Sequence, residues 1–435
     1  MDTTREPAVL SVQETVTVQK RVLWQSVLLL LLVFLAFSRW TVGGDPLSPQ
    51  TGTRAYVEIG MVVFAFVLML FMWGPGVFFK SFRSSSFTIL FAFGIWTVIT
   101  VFWAGNPIMT LGKSIELLVI AFLGAGIASQ SSAAGVSIVK TLLIALLLLI
   151  GFLFLVNIAY YHTPVPFRPY MNRARFVMGF DHPNTTVMFF SSVAILLSYL
   201  FFSSRDLYQR IWMVIGIVIS LAFIYLTDSR TSMFSVLVAI LLLALWKIRS
   251  KRVITSILLV FLIALTVVSL ILVSGKFDRR INNFIANHQD FLTLNGRTGL
   301  WASAFETIDG ANIGGLGYYN SRFLFLGSLG QGWGYNLHNS YLELFFTTGW
   351  IGLFFVILFY FSLAFLLPSI RTNPLPLIIF FYMSLEGIME SRLFIPTIPF
   401  LVAITLIFHQ QFQVMNACLS PHSIVEQSST GDLHA

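Results

Sequence analysis

Charged residues are scarce in this sequence. Asp, Glu, Lys and Arg make up 10% of its 435 residues, whereas about a quarter of a typical soluble domain is charged. Apolar residues make up 57%, and the mean hydropathy is +0.85. This composition excludes an ordinary soluble protein and predicts an integral membrane protein.

Cysteine and the common metal-binding motifs are also lacking. Cys418 is the only cysteine, so the chain can form no intrachain disulfide and no thiolate metal cluster. There is no His-Glu-x-x-His motif, no Asp-x-Asp pair and no Walker loop, and Gly314–Gly317 lacks the Lys-Ser/Thr of a phosphate-binding loop. We therefore expect no metal and no cofactor.

The net charge of +8 is high for a chain with so few charges. On a membrane protein it indicates anionic lipid headgroups or a lipid-linked anionic substrate at least as readily as nucleic acid. No nucleic-acid motif occurs, so we expect membrane lipids and no nucleic acid as partners.

Twelve apolar segments predict an all-α, polytopic membrane protein, because a spanning helix needs about 20 mostly apolar residues. The segments are 22–38, 57–73, 86–104, 113–128, 137–158, 184–202, 210–227, 231–247, 253–273, 339–367, 375–390 and 395–412. The long segment 339–367 is expected to tilt or to break at Gly349 or Gly352. The first span resembles a signal peptide, but the many later spans favour an uncleaved helix.

The distribution of Lys and Arg predicts the orientation. The cluster Lys247 to Arg252 favours the cytoplasm. The chain then divides into a cytoplasmic segment 1–21, helices 1–9 over 22–273, a large extracytoplasmic loop 274–337, helices 10–12 over 338–412, and a disordered cytoplasmic tail 413–435. Apolar spacing in the large loop predicts short amphipathic helices on the outer membrane surface.

The two large outer loops carry several positive residues. The loop 159–182 contains Arg168, Arg173 and Arg175, and the loop 274–337 contains Arg297 among others. One interpretation is that large loops tolerate charge without consequence. The other is that a basic outer surface receives an anionic substrate.

His338 lies just before the helix predicted to start near Ser340. Ser340-Tyr341-Leu342-Glu343 fits a capping box, with Ser340 as the N-cap and Glu343 reaching back. An imidazole at a helix mouth could act as a general base near neutral pH. The alternative is an interfacial histidine bonded to backbone, which spacing alone favours.

Arg230 lies in a very short turn between two predicted helices, within Asp228-Ser229-Arg230-Thr231-Ser232. Thr231 or Ser232 is expected to cap the second helix. The guanidinium fork suits bidentate contact with a phosphate. An ion pair with Asp228, or snorkelling to the interface, explains the residue equally well.

Several motifs together resemble the bacterial O-antigen ligase and O-antigen polymerase family. They are Asp181-His182-Pro183-Asn184, Ser229-Arg230-Thr231, Asn295-Gly296-Arg297-Thr298-Gly299-Leu300-Trp301, Gly314-Gly315-Leu316-Gly317, His338-Asn339-Ser340-Tyr341-Leu342-Glu343 and Gly349-Trp350-Ile351-Gly352. Each motif alone is weak, but their order, spacing and predicted membrane side are fairly specific.

The resemblance implies an integral membrane glycosyltransferase of the cytoplasmic (inner) membrane with its active site facing outside. Such an enzyme takes a glycan from undecaprenyl diphosphate and passes it to a glycan or lipid-glycan acceptor without a metal. Other polysaccharide-assembly proteins are further expected partners. Ligase and polymerase stay open, and the absence of any feature pointing to lipid A favours a polymerase or a general role in polysaccharide assembly.

The resemblance also implies roles for individual residues. Arg230 and Arg297 match the arginines that hold the diphosphate, and His338 matches the histidine near the acceptor hydroxyl. The implied substrate-binding residues are Arg168, Arg173, Arg175, Asn339, Asp181 and Asn184. Which arginine of the loop 159–182 shares the diphosphate stays open.

A polysaccharide transporter or flippase is the main alternative function. Transporters concentrate charged residues near the membrane midplane. Glu116, Glu386 and Glu390 are the few candidates for that role, and most lie near span ends. A structural membrane scaffold is a further alternative, although it would need no outer set of arginines and histidine.

Overall fold

The structure is a computed structural model. It describes residues 12–37, 53–161, 167–170, 173–176, 183–248, 301, 304–305, 313–321, 337–390 and 393–419. The ninth predicted span, 253–273, lies outside these residues, as does most of the predicted loop 274–337.

Helices dominate the described chain. They are α1 Val12–Phe37, α2 Thr53–Trp73, α3 Gly76–Ser81, α4 Ser85–Ile99, α5 Pro107–Ala133, α6 Ile138–Tyr161, α7 Pro183–Ser203, α8 Leu207–Leu226, α9 Arg230–Ile248, α10 Ser340–Leu363, α11 Leu375–Met389 and α12 Ile398–Leu419. Short 3₁₀ helices, Thr100–Trp103 and Ala364–Arg371, extend α4 and α10. Eleven of the twelve predicted spans fall on these helices.

Nine helices within the described ranges are long and apolar enough to cross a membrane, and two more apolar helices, in α2 and α11, are shorter. The prediction of a multi-pass helical membrane protein is therefore confirmed. A helix suits this environment because it satisfies all its backbone hydrogen bonds internally. The first helix begins earlier than expected, at Val12, so the polar residues before Val22 extend it.

The centre of the bundle is formed by α5 and α12, which are mostly buried, whereas few residues of α8 are buried. Small residues allow α5 to approach its neighbours closely. A Cβ added at Gly124 would lie 3.1 Å from Oγ1 of Thr405 in α12, and one at Gly126 would lie 2.5 Å from the sulfur of Met69 in α2.

A short antiparallel strand pair departs from the all-α prediction. The strands are β1 Phe167–Tyr170 and β2 Arg173–Phe176. Phe176 anchors the pair to the bundle, because its ring stacks on Phe223 of α8 at 5.0 Å and lies 6.2 Å from the ring of Phe190 in α7.

The helix α10 is broken at Gly349, whose φ of 68° and ψ of −166° are not helical. This confirms one of the two predicted break points, while Gly352 stays within the helix. The backbone of residues 313–317 fills the break: the N–H groups of Leu316 and Gly317 donate to the carbonyls of Phe346 (2.9 Å) and Thr347 (3.0 Å). Gly314–Gly317 thus has a structural role here.

Glycine is required on both sides of this contact. A Cβ at Gly349 would lie 2.2 Å from the carbonyl oxygen of Ile313, and one at Gly315 would lie 2.4 Å from that of Thr347. Both glycines also have positive φ, which side chains disfavour. The two glycine motifs of the sequence therefore meet in space.

Residues 318–321 are held against α4 and α5. The backbone of Tyr318 bonds to the side chains of Thr100 (2.9 Å) and Thr110 (2.9 Å). Its hydroxyl donates to the carbonyl of Phe394 at 2.8 Å. These bonds join residues 313–321 to the turn that precedes α12.

A buried ion cluster lies beneath the same segment. Lys113 in α5 donates to Glu58 of α2 (2.9 Å) and to Glu116 (2.8 Å), and its ammonium lies 5.6 Å from the ring centre of Tyr319. The cluster ties α2 to α5 and to residues 313–321, and we interpret it as structural.

The predicted orientation can be tested with single cysteines. Ile313 is 65% exposed and belongs to the predicted outer loop, whereas Cys418 is exposed near the end of α12. Ile313→Cys in a Cys418→Ser background should react with a membrane-impermeant maleimide in intact cells. The native Cys418 should react only after permeabilisation, and the reverse pattern would invert the topology.

Candidate active site

Four helix ends meet at one face of the bundle. The starts of α7, α9 and α10 come together with the end of α11, which carries two buried carboxylates, Glu386 and Glu390. Hydrogen bonds of Asn184, Ser232, Asn339 and Ser340 join these starts to α11 or to its C-cap residue. Three of the predicted site residues, Asn184, His338 and Asn339, are brought together there.

Asn339 is the N-cap of α10. Its Oδ1 accepts from the N–H groups of Tyr341 and Leu342, both at 3.0 Å, and its Nδ2 donates to the carbonyl of Ile388 at 3.1 Å. The prediction that Ser340 caps the helix is wrong. Asn and Ser cap equally well, but the Ser340 hydroxyl is used elsewhere: it donates to the Glu390 carbonyl at 2.6 Å and accepts from Leu393 N–H at 3.0 Å.

Glu343 does not complete a capping box either. Its carboxylate accepts from the N–H of Leu337 at 3.2 Å and from the hydroxyl of Ser321. It therefore joins residue 321 to the residue before His338. This role fixes the approach to α10 and leaves the carboxylate buried.

His338 lies next to a carboxylate that sequence reasoning did not assign to the site. Its Nδ1 is 3.5 Å from Oε2 of Glu390, and the two side chains are 24% and 9% exposed. Oε1 of Glu390 accepts from Nδ2 of Asn184 at 2.5 Å. The result is a row from Asn184 through Glu390 to His338, with the imidazole at its accessible end.

The His338–Glu390 separation is too long for an ordinary hydrogen bond, and Nδ1 has no hydrogen-bond partner among the residues that the structure describes. The 3.5 Å separation is nevertheless short enough for the Glu390 carboxylate to attract a protonated imidazole. Catalytic hydrogen bonds are often long before substrate binds and shorten in the reacting complex.

Arg230 is the first residue of α9 and is exposed. Thr231 and Ser232 therefore lie inside the first turn, and the prediction that one of them caps α9 is wrong. Ser232 instead donates to Oε2 of Glu386 at 3.0 Å, and its hydroxyl is 2.9 Å from that of Ser229. The start of α9 is thus bonded to the same helix that carries Glu390.

The strand pair supplies three more of the predicted arginines. Its register sets Arg168 opposite Arg175, and Arg173 opposite Tyr170. The hairpin is attached to α7 through the ring of Phe176. Arg297 and Asp181, the remaining predicted site residues, lie outside the described residues.

Trp301, the last residue of the motif that contains Arg297, lies within the described residues. Trp301 donates from its indole N–H to the carbonyl of Leu337 at 2.6 Å, immediately before His338. Trp301, Ala304 and Phe305 are helical and pack against Leu337, Leu342 and Phe346. The apolar side predicted to face lipid is therefore in contact with α10.

Residues with unfavourable backbone conformations border this face. His338 (φ 50°), Asp228 (φ 54°) and Phe394 (φ 56°) have positive φ, in the turns before α10, α9 and α12. This conformation is rare for a bulky residue such as Phe394, whereas Asp and His adopt it more often than most residues, and backbone strain is often concentrated at functional sites. The location of these residues supports a functional role for this face.

The family comparison covers part of this face, including the starts of α9 and α10. Residues 215–357 match the family model described as O-antigen ligase. They contain Arg230, Arg297 and His338, and they make up about a third of the chain. This match confirms the family resemblance seen in the sequence motifs. A comparison with curated proteins gives no match.

An O-antigen ligase domain indicates a membrane protein with glycosyltransferase-type activity on lipid-linked glycans. Glu386 and Glu390 fall beyond the matched segment, in α11. In the sequence these two residues were candidates only for a transporter function. Isolated carboxylates near the end of a span belong to no motif that would assign them to this site. Their four-residue spacing at the end of a predicted span was the signal that could have suggested a shared location.

Proposed function

We propose that this protein transfers or polymerises a glycan from undecaprenyl diphosphate on the extracytoplasmic side of the cytoplasmic membrane. The acceptor is a glycan or a lipid-linked glycan. The observation that carries the proposal is the row Asn184–Glu390–His338 beside the start of α9, which presents Arg230. A proton acceptor and a phosphate-binding group share one face of the bundle.

Arg230 and Arg297 are proposed to hold the diphosphate. Breaking the bond between a sugar and a diphosphate develops negative charge on the leaving oxygen, and fixed guanidinium groups stabilise that charge best in a partly dehydrated site. Arg230 is exposed at a helix start, where the first N–H groups of α9 also favour an anion. Arg297 precedes Trp301 by four residues, and Trp301 bonds next to His338.

The arginines of the strand pair are proposed to extend this anion site. Like charges at directly opposed positions destabilise a strand pair, and Arg168 and Arg175 are opposed in register. An anionic ligand would offset that repulsion. Together with Arg173, these positions supply positive charge close to α7, whose first turn contains Asn184.

His338 is proposed as the general base. Its Nδ1 faces Glu390, so that the Nδ1–H tautomer leaves a lone pair on Nε2. The acceptor hydroxyl passes its proton to Nε2 while its oxygen bonds to the donor sugar. The bond from that sugar to the diphosphate breaks, and undecaprenyl diphosphate leaves with the electron pair. Glu390 stabilises the imidazolium that results, and Asn184 holds the carboxylate in place.

Ligase and polymerase differ in the acceptor, and the reaction above is the same for both. The matched family model is described as O-antigen ligase. Assay of the purified protein with lipid-linked repeat units, with and without a lipid-glycan acceptor, distinguishes the two: a polymerase lengthens the repeat-unit chain in the absence of the second acceptor.

Arginine substitutions test the diphosphate site. Arg230→Ala and Arg297→Ala should each abolish glycan transfer with near-normal amounts of protein in the membrane. Lysine should restore little activity, because a point charge cannot reproduce a bidentate contact. Arg205→Ala, an exposed arginine in the turn at the far end of α7, serves as the control. Full activity in the lysine variants would refute bidentate recognition.

Substitution of His338 tests the base. His338→Ala should slow transfer by roughly 10²–10⁴-fold. Binding of undecaprenyl diphosphate should change much less, because the arginines hold that group. Near-normal turnover in a folded His338→Ala protein would show that His338 is only an interfacial residue.

We expect the reaction to be independent of metal, since the arginines can neutralise the diphosphate. Purified protein should retain its transfer activity in excess chelator, measured with lipid-linked glycan as donor. Loss of activity that magnesium or manganese restores would contradict this.

A further inference from the structure

Two carboxylates at the end of α11 contact different parts of the proposed site. Glu386 lies in the last turn of α11, and Glu390 is the C-cap residue of the same helix, whose N–H donates to the Glu386 carbonyl at 2.8 Å. Glu390 contacts His338 and Asn184, whereas Glu386 bonds to Ser232 at the start of α9. The last turn of α11 and its C-cap residue therefore contact both the proposed base and the segment that carries Arg230.

Burial of the Glu386 carboxylate is energetically unfavourable. It is fully buried, within an apolar helix of the bundle. A carboxylate at such a position costs free energy that an apolar residue would not. Its presence therefore calls for a role beyond packing.

The hydrogen bonds at the start of α9 have a definite direction. An ionised carboxylate can only accept, so Ser232 commits its single proton to Glu386. In the 2.9 Å contact between the hydroxyls of Ser229 and Ser232, Ser229 must then be the donor. The bonds run from Ser229 through Ser232 to Glu386, and they enclose Arg230 between two anchored residues.

We propose that Glu386 is a positioning residue for Arg230. Through Ser232 and Ser229 it fixes the first turn of α9, so that the guanidinium is held at a set distance from His338 on the same face. Glu386 itself does not touch the substrate. The inference rests on the proposed function, in which Arg230 binds the diphosphate.

Binding of undecaprenyl diphosphate to the purified full-length protein provides the test. Ser232→Ala removes the link and should weaken binding about tenfold, while Ser232→Thr keeps the hydroxyl and should bind normally. Glu386→Gln keeps an acceptor for Ser232 and should have a smaller effect than Ser232→Ala. The matched control is Ser235→Ala, a buried serine three residues further along α9, which should leave the Kd unchanged.

Double substitutions separate positioning from general stability. Ser232→Ala should cause no further loss of binding in an Arg230→Ala background, because its effect acts through Arg230. In a His338→Ala background it should still weaken binding about tenfold. Equal losses in both backgrounds would overturn the inference, because a purely structural defect would add to either substitution.

The two single substitutions give different results when Glu386 has no positioning role and when Arg230 does not bind the diphosphate. If Arg230→Ala leaves the Kd unchanged, Arg230 does not bind the diphosphate and the proposed function loses that residue. If Arg230→Ala weakens binding but Ser232→Ala does not, Arg230 holds its role and the positioning by Glu386 is refuted.

Discussion

Three consecutive carbonyl groups of α10, those of Phe346, Thr347 and Thr348, accept hydrogen bonds from outside their own helix. The donors are Leu316, Gly317 and the indole of Trp96 in α4. Inside a membrane each unsatisfied backbone group costs several kcal/mol, so the break at Gly349 exists only because these donors fill it. The rest of this face of the bundle depends on that contact.

The hydrogen bonds that fill the break at Gly349 position the segments around the site. Residues 313–317 are held by α10, and residue 318 is in turn bonded to the turn before α12. Ser340 bonds to that same turn at Glu390 and Leu393. Because the start of α10 and the end of α11 share these bonds, His338 and Glu390 have little freedom to separate. A rigid setting of this kind is what a general base requires.

Most polar side chains at this face form hydrogen bonds at the starts of helices. The predictions that were wrong are those of the N-caps of α10 and α9. Asn339, not Ser340, caps α10, and Ser232 is not a cap at all. Sequence patterns identify side chains able to cap, but several able residues occur together in both motifs. The choice among them depends on the partner helix. The C-cap residue of α11 provides the Glu390 carbonyl for Ser340, and α11 itself provides the Glu386 carboxylate for Ser232.

The helices themselves followed from composition, because apolar runs of about 20 residues have no other stable form in lipid. The break at Gly349 and the family motifs were also evident in the sequence, since each depends on local residue types. The strand pair β1 and β2 was not, because each strand has only four residues, without a β-branched residue, and Phe176 finds its partners in α7 and α8.

The sequence alone determined that this is a multi-pass helical membrane protein with motifs of the O-antigen ligase family, and it singled out Arg230 and His338. Only the tertiary structure decided that Glu390 lies 3.5 Å from His338 and that Glu386 bonds to Ser232, two residues after Arg230. A local sequence pattern reflects the structural preferences of one segment. The role of a buried carboxylate depends instead on which groups other helices bring within hydrogen-bonding distance. Asn184 and Ser232 come from helices more than 150 residues away in sequence from their partners on α11, and no local pattern encodes that proximity.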